Sequence, residues 1–131
     1  MIAIDTNVLV RLLVNDDPVQ SAKAARLFSS DDVLIPKTVL LETEWVLRFS
    51  YAVAPAVIGG AFERLLAAPS VTVEDATAVR AAVDAHGAGV DFADALHVAS
   101  AASATKLLTF DKKLVRQAKR QKSLVPVDLI G

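Results

Sequence analysis

The sequence predicts an α/β fold, a three-layer sandwich with a central, mostly parallel sheet of four to five short strands flanked by helices. Two kinds of segment carry this prediction. Short apolar runs, such as Ile2-Ala3-Ile4 and Val33-Leu34-Ile35, have no polar break and read as strands buried on both faces. Longer stretches between them repeat apolar residues at offsets of three and four, the helical period. Strand and helix then alternate along the whole chain, which is the pattern of a parallel sheet with helical crossovers. The chain of 131 residues has the length of one ordinary domain. It shows no repeat, linker or low-complexity tract, so residues 1–131 are expected to form a single domain.

The elements follow in order. After the strand at 2–4, Val8, Leu9, Leu12 and Leu13 set out a first helix. Asn15-Asp16-Asp17-Pro18 is a turn and a helix start, with Pro18 suited to a first helical turn. Ala22, Ala25, Leu27 and Phe28 make that second helix amphipathic, and residues 29–32 end it. The strand at 33–35 is closed by Pro36, and Thr38 is expected to cap a helix reaching about Tyr51. Ala54-Pro55 starts another, to about Ala68, with Gly59-Gly60 as a weak point. Residues 71–73 are the third strand. Asp75 is expected to begin a helix through Val79, Val83 and His86, broken by Gly87 and Gly89. Asp91 restarts a helix to about Thr105, residues 106–109 form the fourth strand, and Asp111 opens a basic helix. Residues 124–127 read as a weak fifth strand, with Pro126 placing it at an edge. Two helices in place of one separate the second and third strands, which suggests an arm packing on itself or on a second subunit.

Composition narrows the function classes. The chain contains no Cys, which excludes disulfides and thiolate metal sites and suits the cytoplasm. No apolar run approaches the ~20 residues of a membrane helix, and the first residues lack a basic leader, so neither a membrane span nor a signal peptide is expected. The formal charge of -1 predicts no partner. Its distribution says more: residues 106–122 hold seven of the fourteen Lys and Arg, opposed only by Asp111. Such a stretch suits either a phosphate backbone or a solvated helix face.

Four acids occupy addresses that surface charge does not need. Asp5 closes the first strand, where open α/β sheets place their chemistry. Helix capping also suits Asp5, although Thr6 and Asn7 could cap equally. Glu42 and Glu44 sit on nearly opposite sides of one helix. Glu44 has Arg48 four residues on, a favourable pair on an exposed face. Glu42 has Trp45, Val46 and Phe49 at offsets of three, four and seven, so it lies on an apolar stripe without a local cation. A carboxylate there is costly unless a metal satisfies it or it reaches water at the edge of the stripe. Asp91 fits an N-cap and Asp94 the first turn behind it, and the exposed N–H groups explain both. Asp111 closes the fourth strand as Asp5 closes the first. If those strands are neighbours, ~4.8 Å apart, the carboxylates face each other, and at ~4 Å they repel by roughly 4 kcal/mol at an effective dielectric near 20. Such a cluster holds raised pKa values or a cation. Without Cys, and with His86 and His97 in no ligand pattern, all-oxygen ligation indicates Mg²⁺ or Mn²⁺.

Taken together, Asp5-Thr6-Asn7 after a starting strand, Glu42 three before Trp45-Val46-Leu47, Asp91-Phe92-Ala93-Asp94-Ala95-Leu96 and Leu107-Leu108-Thr109-Phe110-Asp111 closely resemble PIN-domain ribonucleases. More narrowly, the chain looks like the VapC-type toxins of toxin–antitoxin pairs, over its whole length and in order. The resemblance implies a metal-dependent endoribonuclease with Asp5, Glu42, Asp94 and Asp111 around Mg²⁺ or Mn²⁺. Asp5 and Asp94 would be the direct ligands, and Glu42 and Asp111 would act on a second ion or through water. Thr6, Asn7 and Thr109 would orient carboxylates, and Asp91 matches a frequent family acid outside the core set. Lys112, Arg116 and Lys119 are candidates to hold the RNA backbone. The resemblance also implies products with 5′-phosphate and 3′-hydroxyl ends, a homodimer, and a small antitoxin protein filling the acidic groove. The apolar helices around 39–47 and 57–66 offer surface for either protein contact.

Three rival readings fit less well, one of them a nuclease-like fold kept only to bind a metal or partner, against which the intact acidic set argues. A haloacid-dehalogenase-type phosphotransferase needs a second Asp where Asn7 stands. A receiver-like α/β domain that binds a metal or partner without catalysis needs a phosphoaccepting Asp after a central strand and a Lys after a late one. The segments 71–75 and 109–111 do not supply them.

Overall fold

The computed structural model describes all 131 residues. Seven helices and five short strands alternate along the chain, and every strand pairing is parallel, as the apolar runs predict. The chain divides into two compact units, Met1–Ala76 and Thr77–Gly131.

The first unit holds β1 (Ile2–Ala3), α1 (Thr6–Leu13), α2 (Pro18–Ser30), β2 (Val33–Ile35), α3 (Lys37–Ser50), α4 (Pro55–Ala67) and β3 (Val71–Val73). Its ladder runs β1-β2-β3, with Ile2 opposite Val33 and Ile35 opposite Val73. The central strand is the most buried, with Val33 and Ile35 both fully enclosed. β1 is not buried on both faces as its apolar run suggests. Only two residues pair, Ile2 is 44% exposed, and the inward side chain is Ile4, just beyond the ladder. Leu9 and Val10 from α1, Leu40 and Leu47 from α3, and Ile58, Phe62 and Leu65 from α4 fill the core. The two-helix arm is part of this unit: α3 packs on α1 and α4, and α4 packs on β3. α4 runs unbroken through Gly59-Gly60. Thr38 does not cap α3. The helix starts one residue earlier, behind Pro36, with no side-chain cap. The fixed φ of proline does the work of setting the entry angle.

α5 (Ala76–Gly87) begins at the division between the units. It does not start at Asp75, whose φ of 52° is left-handed and whose carboxylate takes the Lys37 ammonium at 3.0 Å instead. The second unit continues with α6 (Phe92–Ser100), β4 (Leu107–Thr109), α7 (Lys112–Gln121) and β5 (Val127–Leu129). α6 stops at Ser100, short of Thr105, because the Ala101 N–H turns back to the Val98 carbonyl and a further turn follows at Ala104. β5 lies three residues beyond the predicted start. Pro126 has no N–H to give to a ladder, so it contributes only its carbonyl, to Leu107 N–H, and pairing runs from Leu107–Val127 to Thr109–Leu129. α7 packs on both strands of this ladder through Leu114 and Ala118. It ends at Lys122, whose left-handed backbone (φ 52°) returns its N–H to the carbonyls of Ala118 and Lys119.

Candidate active site and family

The first unit brings Asp5 and Glu42 to one open cleft of about 490 Å³, which Thr6, Asn7, Thr38 and Val46 also line. Asp5 leaves β1 and caps α1: its Oδ1 accepts from the Val8 N–H at 3.1 Å. Capping and a site role are therefore not alternatives here. The cap occupies one oxygen and fixes the direction of the other. The buried Thr6 donates its hydroxyl to Glu42 Oε1, so Glu42 is oriented by the residue next to Asp5.

Glu42 and Glu44 exchange the environments their spacing suggests. Glu44 is 2% exposed, and Arg48 holds both its oxygens, Nε to Oε2 at 2.7 Å and Nη2 to Oε1 at 3.2 Å. Glu42 is exposed, and the aromatics of its supposed apolar stripe, Trp45 and Phe49, are 55% and 61% exposed. The buried face of α3 is Leu40, Thr43, Glu44 and Leu47. A helix apolar nearly all round does not select its inner face by hydrophobicity, and the ion pair lets the carboxylate of Glu44 take the inner position.

The second unit places three Asp residues at helix starts. Asp91 caps α6, its Oδ2 accepting from the Asp94 N–H at 3.2 Å. Asp111 caps α7 with one oxygen, which receives the N–H of Lys113 at 2.9 Å and of Leu114 at 3.2 Å. The Thr109 hydroxyl oxygen accepts from the Asp111 N–H at 3.0 Å, so it fixes the backbone of the corner and not the carboxylate. Asp94 caps nothing. Its partial burial, and next the negative charges of Asp91 and Asp111, push its carboxyl above the ordinary range, and His97 draws it back. Lys112, Arg116 and Lys119 are all exposed on α7, one turn or two apart, opposite the packed Leu114 and Ala118.

A family model described as PIN domain matches residues 2–120. The chain belongs to the PIN-domain family. The match extends over most of both units and takes in Asp5, Glu42, Asp94, Asp111 and the basic residues of α7 as far as Arg120. PIN domains are generally nucleases that use divalent metal ions, and the carboxylates of this PIN domain are hard oxygen donors of the kind such ions take. Asp94, with its charge set against two others, is a group whose repulsion a cation relieves. No three His, Cys, Asp or Glu side chains form a ready-made group around one point. No curated protein and no solved structure matches the chain significantly.

Thr38 lines the cleft without having been singled out as a site residue. It stands one helical turn before Glu42, and that i, i+4 relation is the signal that marks it in the sequence.

Proposed function

We propose that this PIN domain is a metal-dependent endoribonuclease and the toxin of a type II toxin–antitoxin pair, acting in the cytoplasm. The observation that carries the nuclease reading is the cleft of the first unit, which Asp5 and Glu42 both line and where Thr6, the neighbour of Asp5 in the chain, donates to Glu42. Asp5, Glu42, Asp94 and Asp111 would hold Mg²⁺ or Mn²⁺. Such an ion, when bound, supplies an activated water and neutralises phosphoryl charge. The chain's own part is to aim carboxylates. The α1 cap aims Asp5, the Thr6 hydroxyl aims Glu42, and the α7 cap aims Asp111. Lys112, Arg116 and Lys119 would hold the backbone of the RNA substrate. The toxin role, the antitoxin partner and the homodimer are supported by the ordered motif set and by the exposed apolar residues Trp45, Phe49 and Val57 on α3 and α4.

The test is cleavage of a mixed RNA pool by the purified protein with Mg²⁺, with Mn²⁺ and with EDTA. Metal-dependent cutting that leaves 5′-phosphate and 3′-hydroxyl ends is expected. Cutting that survives EDTA, or that leaves 2′,3′-cyclic ends, refutes this mechanism.

A further inference from the structure

The first unit carries a second cleft. It measures about 380 Å³, at the lower end of the ~300–1,000 Å³ typical of small-ligand sites. Residues of α1 and α2 line it, and it shares Asp5 and Asn7 with the Glu42 cleft. The two clefts are therefore neighbours across one carboxylate.

The lining of this second cleft is mostly apolar, with a few polar groups set into it from Asp5, Asn7, Arg11, Gln20 and Lys23. Arg11 gives its Nε to Gln20 Oε1 at 2.8 Å and its Nη1 to Asp16 at 3.0 Å and to the Tyr51 hydroxyl at 3.2 Å. This holds the Gln20 amide with its oxygen toward Arg11, which leaves the two N–H bonds of Nε2 turned away. Lys23 brings an exposed ammonium from α2, and the half-buried Leu27 brings an apolar surface. A cation, a fixed amide donor and an apolar face are the three things a nucleotide asks for. The phosphate takes the cation, the acceptors on the base edge take the amide, and the base face lies on the apolar side chain.

We propose that the α1–α2 cleft binds one nucleotide of the RNA strand, next to the phosphodiester held at Asp5 and Glu42, with Lys23 on its phosphate and Gln20 reading its base. The proposal rests on the nuclease reading above. It adds a specificity contact in the first unit, whereas the basic residues marked by the sequence all lie on α7.

Isotope-labelled protein titrated with each of the four nucleoside 5′-monophosphates, followed by amide NMR, tests it without requiring cleavage. Shifts are expected at Val8, Gln20, Lys23 and Leu27, with one base favoured. Lys23→Glu should weaken binding by about tenfold, and Gln20→Ala should level the preference among bases. Arg26→Glu, which makes the same charge change on α2 outside the cleft, should leave the midpoint in place. In RNA cleavage, Lys23→Glu should raise KM about tenfold with little change in kcat. Absence of shifts in the cleft, or an unchanged midpoint in Lys23→Glu, overturns the proposal, and that is the result expected if the cleft receives a protein segment instead. Nucleotide binding here by a protein that cuts no RNA would refute the nuclease and keep the subsite. Cutting without such binding would refute the subsite alone.

Discussion

The two units differ in one carboxylate, Asp94 of the second, which has no donor of the kind the other site acids have. In the first, every acid of the candidate site is met by a donor: Asp5 by the Val8 N–H and Glu42 by the Thr6 hydroxyl. In the second, Asp91 and Asp111 are met by helix N–H groups, but Asp94 beside them is left with burial and two like charges, which raise its pKa. Three of the four site acids, Asp5, Glu42 and Asp111, are organised by hydrogen bonding, whereas Asp94 is raised by burial and then by two like charges that His97 partly offsets. Hydrogen bonds fix direction and add stability. Unrelieved repulsion costs stability and holds a place for positive charge.

Removing one acid from each unit gives the sharpest test of this contrast. Asp5→Ala and Asp94→Asn should each cut RNA cleavage by at least a hundredfold, since outer partners of metal ligands alone are worth ~10–100-fold. Their stabilities should move in opposite directions. Asp5→Ala removes a helix cap and should cost about 1 kcal/mol in urea unfolding, whereas Asp94→Asn removes a repelled charge and should raise the melting temperature at neutral pH. Equal destabilisation by both variants would erase the distinction drawn between the units.

Next in size is the ion pair inside α3. Glu44→Gln should destabilise the fold by about 3 kcal/mol, the lower end of the cost of breaking a buried pair, because the Arg48 side chain is 34% exposed and can turn to water. Glu42→Gln, on the same helix two residues away, should leave unfolding nearly unchanged and reduce cleavage. Thr6→Val is smaller again. It keeps the shape but removes the hydroxyl aimed at Glu42, and should lower cleavage about tenfold with a stability change of about 1 kcal/mol or less.

The smallest effect concerns pH. The folded Asp94 carboxyl has a raised pKa. Between its ordinary unfolded value and that raised one, the unfolded chain releases its proton before the folded chain does. The contribution of this group to stability is therefore fully present below the ordinary carboxylate range and falls as pH rises through the window. Urea unfolding at a series of pH values should show this slope in the wild type and not in Asp94→Asn.

Much of this organisation is legible in the sequence. The strands at 33–35 and 71–73, the caps at Asp91 and Asp111 and the Pro55 start of α4 follow from local chemistry, and the structure has them where that chemistry puts them. What local chemistry does not settle is which side of an element faces inward. Ile2 is as apolar as Ile4, yet only the latter is enclosed. Trp45 and Phe49 look like the inner face of α3, yet the inner face carries Glu44, because Arg48 one turn later satisfies it. Pairing partners are equally hidden. β1 and β4 both end in Asp, but the ladder partner of β1 is β2 and that of β4 is β5, so the repulsion imagined between neighbouring strand ends does not follow from the ladders. Within the second unit the interaction is instead among Asp91, Asp94 and Asp111.

Trp45 is the only tryptophan in the chain. It lies 55% exposed, one helical turn from Glu42, with its ring 5.1 Å from that of Phe49. The molecule thus carries a single indole, on the outer face of the helix that bears Glu42. With more than half of its surface already exposed, this indole should change emission wavelength little on unfolding. Anything that covers this face, whether a second copy or an antitoxin, removes water from the indole and shifts its light to the blue, so association can be followed by colour without a label.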